Sequence, residues 1–157
     1  QVTSSADDSS IRAILERSAA GVIESRGDLT PGRTGNTDGS REIYLIDLRT
    51  LATRQITSSS GDTRYRGQDA TERYLAFESD GDLTPADAAQ AGNADGSLEV
   101  YVYDRRARRL RQMTHSLGDS SFAGFVPHSK LIAIESREDL VPATPGTLGN
   151  ADRQPEG

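Results

Sequence analysis

Hydrophobic residues in this chain occur in short runs that are separated by clusters of Gly, Pro, Asp and Ser. The runs are rich in β-branched and aromatic residues, which at this length predicts β-strands. In chain order they include IRAIL (11–15), GVIES (21–25), EIYLIDL (42–48), LAFES (75–79), EVYVYD (99–104), FAGFV (122–126) and IAIES (132–136). Segments 43–46 and 100–103 are apolar at consecutive positions, so both faces of their sheets must be covered.

Three sequence anchors recur in the same order, which indicates an internal repeat. They are Gln-x-Thr at 1–3, 55–57 and 112–114, an apolar run ending in Glu-Ser at 21–25, 75–79 and 132–136, and Asp-Leu-x-Pro followed by Gly-Asn-x-Asp at 28–38, 82–95 and 139–152. We therefore divide the chain into units 1–54 and 55–111 and a partial unit 112–157. The second unit is longer only in one loop, where Gly-Arg-Thr becomes Ala-Asp-Ala-Ala-Gln-Ala.

Each complete unit is predicted to contain four short strands. Four-stranded antiparallel sheets that stack face to face are the blades of a β-propeller, and this architecture explains both the strand count and the period. The sequence thus predicts an all-β fold with two complete blades and one partial blade. A single β-sandwich is the alternative, but it does not explain the repeat.

The repeated sequence motifs resemble those of a known protein family. The segments YLAFESDGDLTP (74–85), GNADGSLEVYVYD (92–104) and LRQMT (110–114) are similar to the TolB-like β-propeller repeat of bacterial periplasmic and secreted proteins. The resemblance covers nearly the whole chain and implies a ring of blades in a periplasmic or extracellular protein. It departs from the family at the turn before the second strand, where Arg17-Ser18, Thr71-Glu72 and His128-Ser129 replace the usual Ser-x-Asp-Gly.

Two blades and half of a third cannot close a ring. We expect the missing strands to come from a longer propeller or from other copies of the chain, which would add strands at an open sheet edge and form an oligomer or fibre. In both cases we expect protein contacts on exposed blade faces. The residues expected to be buried there are Ile11, Ile14, Val22, Phe122, Phe125 and Ile134.

Composition narrows the choice of partner. The 157 residues carry a formal net charge of −6, which argues against nonspecific binding to nucleic acid or anionic membranes. There is no cysteine, so disulfides and thiolate chemistry are excluded. No apolar stretch is long enough to span a bilayer.

The Asx-rich turns support two interpretations. On a calcium loop of the form D-x-D-x-D-G, the residues that fall on ligand places are Asn36, Asp38, Ser40 and Glu42 in the first unit and Asn93, Asp95, Ser97 and Glu99 in the second. The first ligand place fails, because it holds Thr34 and Ala91. Alternatively, Asn and Asp bond their own backbone in Asx turns, and Asp-Gly is a preferred hairpin turn. A calcium ion here would be structural.

One local basic run stands out, at Arg105, Arg106, Arg108 and Arg109. It falls on a predicted hairpin at the outer rim of the second blade, where it discourages edge-to-edge aggregation or binds an anionic partner. His115 and His128 lack metal-ligand spacing. Gly118–Phe122 lacks the G-x-S-x-G pattern of a serine nucleophile, and Asp119 is predicted to form a turn.

No catalytic constellation is present, and repeated residues are more typical of a scaffold than of an active site. The sequence therefore favours a non-catalytic interaction or scaffold module, with calcium as its one candidate cofactor. A self-assembling structural subunit and the propeller part of a larger hydrolase or peptidase are the alternatives, since fold does not determine function.

Overall fold

The computed structural model describes residues 8–30, 35–84, 92–127, 129–138 and 140. Its strands are β1 (Ser9–Leu15), β2 (Ala20–Ser25), β3 (Glu42–Asp47), β4 (Thr53–Gln55), β5 (Thr63–Gln68), β6 (Tyr74–Ser79), β7 (Glu99–Asp104), β8 (Arg109–Gln112), β9 (Ser120–Phe125) and β10 (Ile132–Ser136). One 3-10 turn, Glu16–Ser18, joins β1 to β2. None of the helices in these residues is long and apolar enough to cross a membrane.

The strands form two antiparallel four-stranded sheets and one hairpin. Sheet A has the order β1-β2-β3-β4, sheet B has the order β5-β6-β7-β8, and β9 pairs with β10. The all-β prediction and the prediction of four antiparallel strands in each complete unit are therefore confirmed. The first strand of each unit carries a β-bulge at the same place, at Arg12, Arg66 and Ala123.

Sheets A and B pack face to face across one hydrophobic core. We call the face of a sheet that is turned toward the preceding unit its front, and the opposite face its rear. The rear of sheet A contributes Leu15, Ala20, Val22, Ile43 and Leu45, and the front of sheet B contributes Leu75, Phe77, Tyr101 and Tyr103. Alternate residues of strands β2 and β3 thus reach opposite faces, which explains why their sequences are apolar throughout.

The β9–β10 hairpin continues the same stacking on the rear of sheet B. Strand β9 contacts β5, β6 and β7, and Ala76 and Val100 on that rear face are fully buried. Phe122 and Phe125 lie on the front of the hairpin, with ring centroids 5.1 Å apart. The third unit therefore begins as the second one does.

The front of sheet A has no preceding sheet among the described residues. Ile23, Tyr44 and Ile46 are buried there beside Leu29 and Leu48. Ile11 and Ile14, in contrast, are 51% and 48% exposed. The six residues that we expected to be buried by contacts with other blades therefore differ in their surroundings, and the prediction is wrong for Val22, which is buried within the chain. Val22 is buried between the sheets, Phe122, Phe125 and Ile134 are partly buried, and both isoleucines of β1 are open to solvent.

The loop residues that recur in both units pack against each other within each unit. A Cβ on Gly35 would lie 2.2 Å from the Asp28 carboxylate, and a Cβ on Gly92 would lie 2.2 Å from that of Asp82. A side chain at either position would therefore have to displace the aspartate carboxylate. The Asp-Leu and Gly-Asn anchors are thus two halves of one packed loop.

Candidate functional site

The Asx turn of the first unit is built around the buried carboxylate of Glu42. Its Oε1 accepts hydrogen bonds from the Ser59 N–H at 2.7 Å and the Ser40 hydroxyl at 3.1 Å. Its Oε2 accepts one from the Thr57 hydroxyl. Thr57 is the last residue of the Gln-x-Thr anchor, so this network fixes the chain after β4 to the start of β3.

The second unit repeats the network around Glu99. Its Oε1 accepts hydrogen bonds from the Ser116 N–H at 2.8 Å and the Ser97 hydroxyl at 3.1 Å, and its Oε2 accepts one from Thr114. Glu42 and Glu99 are each 1% exposed. A buried carboxylate with several donors is a structural element of the fold, because without it the N–H of Ser59 or of Ser116 would lose its acceptor.

Asp38 and Asp95 form the Asx turns themselves. Asp38 Oδ1 accepts the Ser40 N–H at 2.9 Å and the Ser40 hydroxyl at 2.7 Å. These bonds hold the pKa of Asp38 below its usual value, and bonds from Ser97 do the same for the pKa of Asp95. Burial has the opposite effect on Glu42 and raises its pKa.

This geometry bears on the calcium hypothesis in two ways. Most of the predicted ligand oxygens already accept hydrogen bonds, and the described residues contain no group of three or more His, Cys, Asp or Glu placed to hold a metal ion. On the other hand, Oδ1 of Asn36 and of Asn93 is buried and accepts no hydrogen bond within the described chain. These two equivalent oxygens are suited to a cation or a water molecule, so calcium stays a prediction. Several residues considered in the sequence lie outside the described part of the chain. They are Thr34, Ala91, His128 and, in the third Gly-Asn-x-Asp segment, Asn150, Asp152, Arg153 and Glu156.

The four arginines of the basic run lie on the hairpin between β7 and β8, as the sequence predicted. They differ in their contacts and exposure. Arg105 donates to the carbonyl of Glu72 at 2.7 Å and to the hydroxyl of Ser18 at 3.0 Å, so it joins hairpin turns of both sheets. Arg106, Arg108 and Arg109 are exposed. Arg108 has a φ of 53°, as required at this turn position. A partner for this rim stays a prediction.

His115 and Asp119 are the described residues that the sequence analysis weighed individually for metal binding or catalysis. His115 is exposed in the loop after β8. The Asp119 carboxylate accepts the N–H of Leu98 at 2.9 Å, just as Asp62 accepts the N–H of Arg41 at 2.8 Å. Asp119 and Asp62 therefore make the same contact in the two units, each with the residue before the third strand.

A second set of carboxylates joins consecutive units. Glu24, on the rear of sheet A, accepts the backbone N–H of Tyr65 in sheet B at 2.7 Å. Glu78, on the rear of sheet B, accepts the N–H of Phe122 in the third unit at 2.7 Å. The sequence marked both glutamates only as part of the Glu-Ser anchor. Glu135 occupies the same place in β10 and is exposed.

Residues of the first strands of sheets A and B, with residues of neighbouring segments, line a polar cleft that sequence reasoning missed. It has a volume of about 570 Å³. Its charged lining consists of Arg12, Arg26, Arg41, Arg64 and Arg66 with Asp8 and Glu24. Five arginines against two carboxylates give it a formal charge of +3, in a chain whose net charge is −6.

Three of these arginines are paired with carboxylates. Arg12 lies 3.4 Å from Glu24, Arg26 lies 2.6 Å from Asp62, and Arg66 binds Glu78. Arg41 and Arg64 form no salt bridge within the described residues. We refer to the whole set as the arginine cleft. Comparing equivalent positions of the units would have found it, because four of its five arginines are not repeated.

No family model, no curated protein and no solved structure matches this chain. The resemblance to the TolB-like repeat therefore continues to rest on the quoted motifs alone.

Proposed function

We propose that this chain is a non-catalytic β-propeller module that serves as a protein-interaction or scaffold unit. Three units that stack front to rear, with the same hydrogen bonds at each junction, support the propeller part of the proposal. The resemblance to TolB-like repeats supports a secreted or periplasmic bacterial setting.

The observation that carries the proposal is the exposed part of the front of sheet A. The equivalent face of sheet B is covered by sheet A, and Tyr65 there is packed against the shared core. Ile11 is the counterpart of Tyr65 in the first unit, yet it is 51% exposed, and Ile14 beside it is 48% exposed. Adjacent exposed isoleucines on a sheet face that is built to be covered are typical of a protein interface.

The third unit offers the complementary surface. Glu135 corresponds to Glu24 and Glu78, which are 6% and 2% exposed because each contacts the following unit. Within the described residues β10 pairs only with β9, so its second edge is the place where a further strand would be added. A protein partner could donate a strand N–H to the Glu135 carboxylate and add a strand beside β10.

A second copy of the chain is one such partner, and this favours the alternative of a self-assembling subunit. The front of sheet A in one copy matches the rear of the hairpin in another, in the same order that the units follow within the chain. Such a contact is head to tail, so it would build a closed ring or a fibre.

The experiment is a measurement of size in solution combined with a cryo-EM map of the intact assembly. We expect a further sheet to cover Ile11 and Ile14, and the Ile11→Asp/Ile14→Asp variant to lose that contact. Leu51 and Leu117 are 55% and 88% exposed elsewhere, so Leu51→Asp/Leu117→Asp is the matched control and should assemble normally.

Two results would contradict the proposal. An assembly in which Ile11 and Ile14 face bulk solvent would remove the interface. A wild-type chain that stays monomeric at high concentration would exclude self-assembly, while a map with additional blades of a longer protein would retain the scaffold function.

A further inference from the structure

The arginine cleft differs from the repeated contacts at the unit junctions because most of its arginines do not recur in the next unit. The equivalents of Arg12, Arg26, Arg41, Arg64 and Arg66 in the next unit are Arg66, Asp80, Leu98, Ser121 and Ala123. Four of the five arginines are therefore lost in one repeat. Residues that build the fold recur, as Glu24 and Glu78 do, so a set that does not recur needs another explanation.

The two junctions also have opposite charge. The acidic residues recur, with Asp62 and Glu78 in place of Asp8 and Glu24, and Asp80 adds a third carboxylate. Because Ser10 is replaced by Arg64, the equivalent junction has two arginines against three carboxylates, a formal charge of −1, compared with +3 in the arginine cleft. The general arginine content of the chain does not explain a contrast between two copies of the same structural element.

We propose that the arginine cleft is a binding site for a small anion that carries at least two carboxylate or phosphate groups. A volume of about 570 Å³ lies within the usual range for small-molecule sites. Guanidinium groups recognise both kinds of anion with paired hydrogen bonds. Ser10 and Tyr65 also line the cleft beside its arginines.

Arg41 and Arg64 are the residues that bind the anion. Arg12, Arg26 and Arg66 already contact carboxylates of the protein and keep the walls of the cleft in place. Arg64 is exposed and Arg41 is partly exposed. Since neither of these two forms a salt bridge in the described chain, their charges are available to a ligand without the loss of an internal ion pair.

The repeat itself supplies the test variants. Arg41→Leu and Arg64→Ser introduce the residues that stand at the equivalent positions of the next unit, Leu98 and Ser121, so the backbone accommodates them. Binding of citrate and of inorganic pyrophosphate is measured by isothermal titration calorimetry in a buffer of low ionic strength. Citrate tests the carboxylate class and pyrophosphate the phosphate class.

We expect one anion to bind to the wild-type chain and to bind at least about tenfold more weakly to the Arg41→Leu/Arg64→Ser variant. The control, Arg106→Ala/Arg108→Ala, removes the same charge from the exposed rim and should change the affinity by less than about twofold. Absence of binding of both anions to the wild type would overturn the proposal, as would an equal loss in the two variants.

NMR chemical-shift mapping on the wild-type chain locates the bound anion without using variants, so it does not depend on whether the variants fold. The amide signals of Ser10, Arg12, Arg64 and Tyr65 should move when the anion is added, and those of 105–109 should not. Movement confined to 105–109 would assign the anion to the rim and overturn the cleft proposal.

Discussion

The junction of sheets A and B can be compared position by position with the junction of sheet B and the β9–β10 hairpin. Each has a rear-face glutamate that accepts the backbone N–H of the next unit, at 2.7 Å in both cases. Each first strand has a bulge at the same place. The charges, however, are opposite, because arginines line the first junction and carboxylates dominate the second.

The comparison separates two kinds of residue. Those that are alike at both junctions have a structural task, since the same sheets must be held at the same distance. Residues that differ between the junctions do not share this structural task. The arginines of the cleft form the largest such group. In a repeat protein each unit is therefore a control for the others, and this information is available from one chain without an alignment.

The largest expected effect concerns the hydrophobic contacts of the two junctions. Phe77 is fully buried between sheets A and B, and its counterpart Ile134 is only partly buried. We expect Phe77→Ala to lower the free energy of unfolding by about 3–5 kcal/mol and Ile134→Ala by about 1 kcal/mol. Urea unfolding measures both. Equal losses would show that the third unit is packed as completely as the second.

The next effect concerns the junction glutamates. Glu78 is 2% exposed and contacts both Phe122 N–H and Arg66, whereas Glu135 is exposed. We expect Glu78→Ala to destabilise the chain by about 2–3 kcal/mol, because it leaves a buried N–H and a cation without their acceptor. Glu135→Ala should cost less than about 0.5 kcal/mol in the dilute protein.

A large effect of Glu135→Ala at low concentration would contradict the equivalence of the three glutamates. If the same variant instead weakens assembly at high concentration, Glu135 has the interface role that we propose for it. Unfolding and sedimentation measurements on the same sample distinguish these outcomes.

The smallest expected effect concerns calcium at the Asx turns, which are alike in both units. Because Asp38 and Glu42 are already hydrogen-bonded, we expect added calcium to raise the melting temperature by less than about 2 °C, which corresponds to less than about 1 kcal/mol. A rise of several degrees that is lost in Asp38→Asn and in Asp95→Asn would support calcium. Chelation by EDTA provides the matched metal-free baseline.

Sequence reasoning predicted the strands and their grouping, because short apolar runs and a clear period are local signals. It also placed Asn36, Asp38, Ser40 and Glu42 in one turn. It could not show that Thr57 completes the Glu42 network, since the two residues are brought together only by the pairing of β3 with the following strand. Nor could it show the cleft, because Arg12, Arg41 and Arg64 belong to three separate segments and converge only when sheets A and B stack.

The hydrogen bonds of Glu24 and Glu78 have a consequence for how such a chain changes over time. Each carboxylate accepts a main-chain N–H, which every residue except proline provides, so the hydrogen bond itself does not constrain the side chain at that position. Tyr65 and Phe122 already differ there. A joint of this kind survives gene duplication followed by divergence, and it leaves the neighbouring positions free to acquire new chemistry.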